Sequence, residues 1–248
     1  MTCRSSAAWA TLALAFAAAC TCAPSRPPSE EALAEVRRRA LYGKQPQAME
    51  TLERWAQAGD RGARRALADV YATGGDPASL ENAARWYRLA AEAGEANAQR
   101  ALGRASKRGA LGLPVDLGAA KRWYAAAADQ GDSGSELALG LMAKNGEGGP
   151  RDLEAAARWL ERAANHGSAE AMFHLGNAFA NGEGVPRDLQ RAREWYERAA
   201  ERGQPAAIQT LGLAYQVGDL GLPRDPEKAD ELLREAGHPH TDDDAFSP

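Results

Sequence analysis

Apolar residues recur along most of this chain with the period of an α-helix. In the segment that starts at Ala171, the next apolar positions are Leu175 and Phe179, each four residues on. Side chains four residues apart share one face of a helix, so this spacing predicts a helix with one apolar stripe. Gly and Pro then interrupt the stripe over residues 182–187, and a second stripe centred on Trp195 follows. The pattern predicts two helices joined by a tight turn.

This helix pair is repeated five times. A leucine of the first helix recurs at intervals of 35, 37, 36 and 36 residues, and a tryptophan of the second helix keeps the same spacing. A fixed period indicates a solenoid, because one helix pair cannot bury its apolar face alone and must stack on its neighbours. We therefore expect an all-α solenoid of repeats of about 36 residues over residues 31–237, with a degenerate unit at 31–60 and later units starting near residues 63, 98, 135, 171 and 207. The register positions are Leu67, Leu102, Leu139, Leu175 and Leu211, and then Trp86, Trp123, Trp159 and Trp195, with Leu232 in the last tryptophan place.

Residues that begin and end helices follow the same period. An aspartate stands before four of the second helices, where its carboxylate can accept the free amides of the first turn. A glycine stands after four of the second helices, where a left-handed residue closes a helix. The aspartates are Asp116, Asp152, Asp188 and Asp225, and the glycines are Gly94, Gly131, Gly167 and Gly203.

Composition and charge narrow the class of protein further. The chain has 56 Ala but only six Val and Ile together, which argues against a fold built on strands. Its net charge is −4, so it has no basic excess for a phosphate backbone, and we expect no nucleic-acid partner. All three cysteines lie at positions 3, 20 and 22, so disulfides cannot hold the repeats together.

The repeated motif resembles the Sel1-like repeat family, which is related to the tetratricopeptide repeats. The motif reads A-x-x-x-L-G-x-x-[YF]-x-x-G, then a Gly/Pro loop, then D-x-x-x-A-x-x-W-[YL]-x-x-A-A-x-x-G, and it covers roughly residues 63–237. The resemblance implies a right-handed superhelix that binds other proteins, often in a secreted or envelope-attached bacterial protein. Some positions depart from the motif, and we expect these to change local packing only: Ser79, Ala68, Ser106, Ala143 and Leu232.

The N-terminus predicts a targeting segment. Residues 7–19 are uncharged and mainly apolar, too short a run to cross a bilayer, so residues 1–19 are interpreted as a signal peptide. The run that ends at Cys20 resembles a bacterial lipoprotein signal, in which Cys20 would be lipidated. The same bond, Ala19–Cys20, also suits ordinary signal peptidase. Residues 20–30 then form a Pro-rich tether, and residues 238–248 a disordered polar tail.

No catalytic constellation, metal site or cofactor site is predicted. The run at residues 131–134 looks like a protease nucleophile motif, but it occupies the turn between repeats. His238 and His240 near three aspartates could ligate a metal, although a solvated tail is the simpler interpretation. His166 and His174 are assigned structural roles, and His166 would favour the helix dipole as a cation at the end of a second helix.

The candidate binding residues face away from the packing stripe of the first helices. In this superhelical class the first helices line the concave surface, so positions 2, 6 and 9 residues after the start of each unit predict its lining. A basic stripe of Arg100, Arg104 and Lys107 would border a row of exposed apolar side chains, and such a row marks a binding surface. The row consists of Leu137, Leu141, Phe173 and Leu213. Alternatively, packing rotates the helices and buries the leucines of this row. The predicted lining consists of Arg65, Asp69 and Ala72; Arg100, Arg104 and Lys107; Leu137, Leu141 and Lys144; Phe173, Asn177 and Ala180; and Gln209, Leu213 and Gln216.

These features predict a non-enzymatic scaffold that captures a protein partner in its concave groove. The scaffold would be tethered at Cys20 to the membrane on the periplasmic side of a Gram-negative envelope, or be soluble in the periplasm if Cys20 is not lipidated. One special form is an immunity protein against a toxic effector.

The rival prediction is an enzyme acting on the cell wall or on β-lactams, because a Cys-rich branch of Sel1-like proteins has been linked to penicillin binding. The repeats here carry neither the Cys pairs of that branch nor a Ser-x-x-Lys motif. A third alternative is a cytosolic signalling adaptor.

Overall fold

The computed structural model describes residues 28–237 and shows only helices in that part of the chain. The predicted signal peptide, Cys20, nearly all of the predicted tether and the predicted tail lie outside it. The odd-numbered helices are the first helices of each pair, and the even-numbered helices are the second helices. The bounds are α1 Glu30–Leu41, α2 Pro46–Gln57, α3 Arg61–Ala72, α4 Pro77–Glu92, α5 Ala96–Arg108, α6 Leu117–Ala128, α7 Ser133–Asn145, α8 Leu153–Asn165, α9 Ala169–Asn181, α10 Leu189–Ala200, α11 Pro205–Val217 and α12 Pro226–Gly237.

The predicted helix boundaries are set by the predicted capping residues. Each of the four aspartates before a second helix accepts a hydrogen bond from the backbone amide three residues on, at 2.8–3.1 Å. Each carboxylate therefore satisfies an amide that has no partner within its own helix. The four glycines after the second helices all have positive φ, between 71° and 92°. The capping interpretation is confirmed at all eight positions.

Consecutive helices pack against one another along the described chain, so each repeat contacts the next one. The predicted stripe of Ala171, Leu175 and Phe179 is buried. Leu175 shares one apolar cluster with Leu160 of the preceding pair and Leu211 of the following pair. Every helix pair therefore depends on its neighbours for burial, and the all-α solenoid prediction is confirmed.

The loops between the first and second helices of the last four pairs come in two forms. Gly148 and Gly184 occupy one loop position with φ of 71° and 73°. Leu111 and Leu220 occupy the same position of the repeat, yet their φ values are 57° and 55°. A left-handed leucine costs about 1–2 kcal/mol because its Cβ crowds the following carbonyl. Leu220 offsets this cost by placing its side chain in the apolar cluster of α8 to α11.

Replacing these two leucines with glycine should separate the backbone strain from the burial. We expect Leu220→Gly to destabilise the protein by about 1–3 kcal/mol, because losing a buried leucine outweighs the relief of strain. Leu111 is only half-buried, so Leu111→Gly should change the free energy of unfolding by less than about 1 kcal/mol. Urea unfolding followed by circular dichroism measures both. Equal losses at the two positions would contradict this account.

Candidate protein-binding surface

The predicted lining residues lie on first helices that stand side by side. Ion pairs connect α3 to α5 and α5 to α7, with Arg65 contacting Glu95 at 3.2 Å and Arg100 contacting Asp132 at 3.3 Å. Both acids are the N-cap residues of the following first helix. We call the surface formed by the predicted lining residues on α3, α5, α7, α9 and α11 the first-helix face.

Asp69 is the centre of a polar cluster at the N-terminal end of this face. Its carboxylate accepts hydrogen bonds from Arg37 and Arg65, both at 2.9 Å, and from the Tyr87 hydroxyl at 2.6 Å. Burial and the neighbouring Asp69 charge raise the pKa of Tyr87, so its hydroxyl stays a donor. The structure thus places Arg65 and Asp69 in contacts within the protein.

The predicted basic stripe is mostly neutralised by acids at or beyond the start of the next first helix. Lys107 contacts Glu147 at 2.7 Å, and Lys144 contacts Glu183 at the same distance. Arg100 also pairs, with Asp132. Arg104 is exposed, and it makes no ion pair with any residue between 28 and 237. Of the three cations in the predicted basic stripe, Arg104 alone has no described acid as its partner.

The predicted row of exposed apolar side chains is only partly exposed. Leu137 and Phe173 are half-buried against the cluster formed by α8 to α11, and Leu141 is half-buried as well. Leu213 is 48% exposed, and Val217, one turn further along α11, is 70% exposed. The expected exposure therefore holds for Leu213, whereas packing covers much of the other three, as the rotated-helix alternative proposed.

The remaining lining residues divide between internal contacts and solvent. The Tyr196 hydroxyl donates a hydrogen bond of 2.7 Å to Asn177 Oδ1. Burial raises the pKa of Tyr196 to about 12, so this hydroxyl also remains a donor. Gln209 and Gln216 are exposed, while Ala72 and Ala180 are half-buried.

A buried glutamate on α7 is not predicted from the sequence pattern. Glu136 is fully buried, with Oε1 3.1 Å from Arg162 Nε and Oε2 2.7 Å from His166 Nδ1. The sequence assigns His166 to the dipole of its own helix, whereas the structure places it against this carboxylate of another helix. The repeat gives only a partial signal, because the same position holds Met172 and Ile208 in the next two units but Arg64 and Gln99 in the two before.

The pair between Lys107 and Glu147 should make stability depend on pH. The hydrogen bond from Lys107 lowers the pKa of Glu147 below its ordinary value of 4.5. A carboxyl group with a lowered pKa in the folded state stabilises the fold above 4.5, and this contribution disappears as the pH falls through the folded-state value. Because both side chains are partly exposed, Lys107→Met should cost only about 0.2–1 kcal/mol near neutral pH.

Urea unfolding at about pH 7 and about pH 3 checks this prediction. The cost of Lys107→Met should decrease at the lower pH, because Glu147 becomes protonated as the pH falls. Arg104→Met is the matched control, because Arg104 has no described acid to lose. If Lys107→Met lowers the free energy of unfolding equally at both pH values, the aliphatic stem of Lys107, rather than its charge, stabilises the fold.

Between residues 28 and 237, no group of three His, Cys, Asp or Glu side chains is arranged to hold a metal ion. In the same range, no helix has the length and apolar character needed to cross a membrane.

Comparison with protein families explains the repeat. The Sel1 repeat model matches five consecutive segments, residues 62–95, 96–132, 133–168, 169–204 and 205–237. The chain belongs to the Sel1 repeat family. The resemblance stated from the motif is confirmed. Sel1 repeat proteins are generally protein-interaction scaffolds and are typically not enzymes.

Solved structures of other Sel1 repeat proteins have the same fold. A Sel1 repeat protein from Oxalobacter formigenes is 29% identical, with a TM-score of 0.75 over 84% of this chain and 86% of that one. A protective antigen present in uropathogenic Escherichia coli strains, displaying an SLR fold, is 30% identical with a TM-score of 0.73 over 84% of this chain. This chain spans only 45% of the length of that antigen. No curated protein matches the sequence.

Proposed function

We propose that this Sel1 repeat protein is a scaffold that holds a segment of a protein partner on its first-helix face. The proposal rests on the change of character along that face. Its N-terminal part is polar and largely ion-paired around Asp69, whereas Leu137, Leu141 and Phe173 make its later part apolar. Leu213 and Val217 then leave apolar surface open to solvent. Apolar side chains that recur at the repeat spacing suit an extended or helical partner segment that contacts several repeats.

Leu213→Glu is the variant that tests this surface. We expect it to weaken partner binding at least about tenfold, because a charge would be buried against the apolar part of the partner. Phe173→Glu is less suitable, since Phe173 packs against the core and its loss would also unfold the repeats. Val115→Glu is the matched control, because Val115 is 63% exposed on the loop between α5 and α6.

The measurement has two steps. A photo-crosslinking amino acid is placed at position 213 in the native host, the linked protein is identified, and its dissociation constant is then measured against both variants. A stoichiometric partner that loses affinity with Leu213→Glu but not with Val115→Glu supports the scaffold. Equal affinities for the two variants would exclude this surface. A toxic effector recovered as the partner would identify the immunity form of the scaffold.

We also propose that the scaffold acts on the periplasmic side of the bacterial envelope, attached to the membrane through Cys20. The support is the sequence of residues 1–20, which resembles a lipoprotein signal. Intact-mass measurement of protein purified from the native envelope, with the membrane and periplasmic fractions kept separate, is the test. A mature chain that starts at an acylated Cys20 supports anchoring, and an unmodified Cys20 would make the protein soluble in the periplasm. Opening of a chromogenic β-lactam by the same sample would instead revive the enzyme alternative.

A further inference from the structure

Arg104 differs from the other cations of the first-helix face because it has no acid to pair with. Arg65, Arg100, Lys107 and Lys144 each contact a carboxylate within 3.3 Å. Arg104 makes no such contact with the residues from 28 to 237 and is exposed. An exposed guanidinium that is not neutralised remains free to receive a carboxylate from outside the protein.

A groove of about 280 Å³ lies beside Arg104. Small side chains, Ala72, Ala101 and Ala105, make part of its wall, and Tyr87 and Leu111 contribute as well. Arg108 also lines this groove, and it lies one turn from Arg104 on α5, so the two guanidinium groups are on the same side of the helix. This volume is small for a whole ligand, and it suits a single side chain of a bound segment.

Two acids that contact α4 or α5 beside the groove are already engaged. Asp69 is held by Arg37, Arg65 and Tyr87, and Glu147 is held by Lys107. The repeat that contains Arg104 adds to the local charge, since residues 96–132 hold six Lys and Arg against three Asp, a net charge of +3. Each of the other four matched repeats has more acids than bases. The positive potential is therefore local to this repeat within a chain of net charge −4.

We propose that the groove beside Arg104 binds an aspartate or glutamate side chain of the partner segment, with the carboxylate on the Arg104 guanidinium. This inference rests on the proposed function and names the chemistry of its partner. Leu141 occupies the position of Arg104 in the next repeat, so the same segment carries an apolar residue after its acidic one. A nucleic acid fits less well, because Arg100 and Lys107 on the same helix are already paired and the next repeat offers leucine instead of a base.

The test uses two labelled peptides of about ten residues, one that alternates Asp with Leu and one that alternates Asn with Leu. Fluorescence anisotropy measures their binding to the full mature chain and to Arg104→Gln. We expect the Asp peptide to bind at least about tenfold more tightly than the Asn peptide, and Arg104→Gln to remove that preference. Raising the salt concentration should weaken only the Asp peptide.

Arg158→Gln is the matched control, because Arg158 is an exposed arginine on the second helix α8 with only a 3.9 Å contact to Glu154. It should leave both affinities unchanged. Equal binding of the two peptides, or equal effects of Arg104→Gln and Arg158→Gln, would overturn the proposal. If inorganic phosphate displaces the Asp peptide and the protein shows no preference for the Asp peptide over the Asn peptide, the proposal is overturned in favour of a phosphate site.

The outcome is separable from that of the scaffold proposal. If the partner found by crosslinking binds Arg104→Gln as tightly as the unaltered protein but loses affinity for Leu213→Glu, the acidic-segment proposal fails and the scaffold stands. If neither variant changes the affinity for the partner, both fail.

Discussion

Gly184→Ala is expected to destabilise the protein by about 3–5 kcal/mol, more than any other single methyl addition proposed for these loops. Gly184 has φ of 73°, and a Cβ there would lie 2.0 Å from the carbonyl oxygen of Leu153 and 2.8 Å from the amide nitrogen of Glu154. Both atoms belong to the backbone at the start of α8. Relief of the clash would therefore require the loop to move away from the preceding repeat, which would open the shared core.

Gly203→Ala is the control that separates this clash from backbone strain. Gly203 has nearly the same φ, 71°, but no atom lies within 4 Å of the place that a Cβ would take. It should cost only the left-handed strain, about 1–2 kcal/mol. Urea unfolding of both variants measures the difference. Equal losses would mean that the loop adapts freely, and that its contact with the preceding repeat contributes little.

The second large effect on the free energy of unfolding is expected at Glu136. The sign of this effect should depend on whether Glu136 or its two basic partners are removed. The double variant Arg162→Ala with His166→Ala leaves a fully buried carboxylate without a base, which should cost about 3–5 kcal/mol. Glu136→Met removes the buried charge instead and leaves two half-exposed bases in water. Because methionine already fills this position in the next repeat at Met172, we expect this variant to lose little stability or to gain some.

The triple variant, in which Glu136→Met is added to the double variant, closes the thermodynamic cycle. It should recover most of the loss, since no buried charge then remains. The residual loss would report the other contacts of Arg162, namely its hydrogen bond to the Ala128 carbonyl and its stacking on Trp159. If Glu136→Met alone destabilises the protein as much as removal of both bases, the ion pairs themselves stabilise the fold and the desolvation argument is wrong.

The sequence by itself determined the solenoid, because its signals act over a few residues. The four-residue spacing of Ala171, Leu175 and Phe179 specifies one buried helix face, and Asp188 caps the helix that follows through an amide three residues away. Such interactions depend on local geometry alone. Repetition of the same signals five times then required stacking, because no single pair could bury its stripe.

The tertiary structure decided how the candidate surface is used. The partners of Lys107, Lys144 and Arg100 lie 32–40 residues away along the chain, so only the stacking of helices shows that these charges are neutralised and that Arg104 is left free of described acids. The half-burial of Leu137 and Phe173 likewise depends on the rotation of each first helix against its neighbours. A one-dimensional period fixes which residues share a helix face. The angle at which neighbouring helices pack fixes how much of that face remains in water, and that angle results from side chains of several repeats acting together.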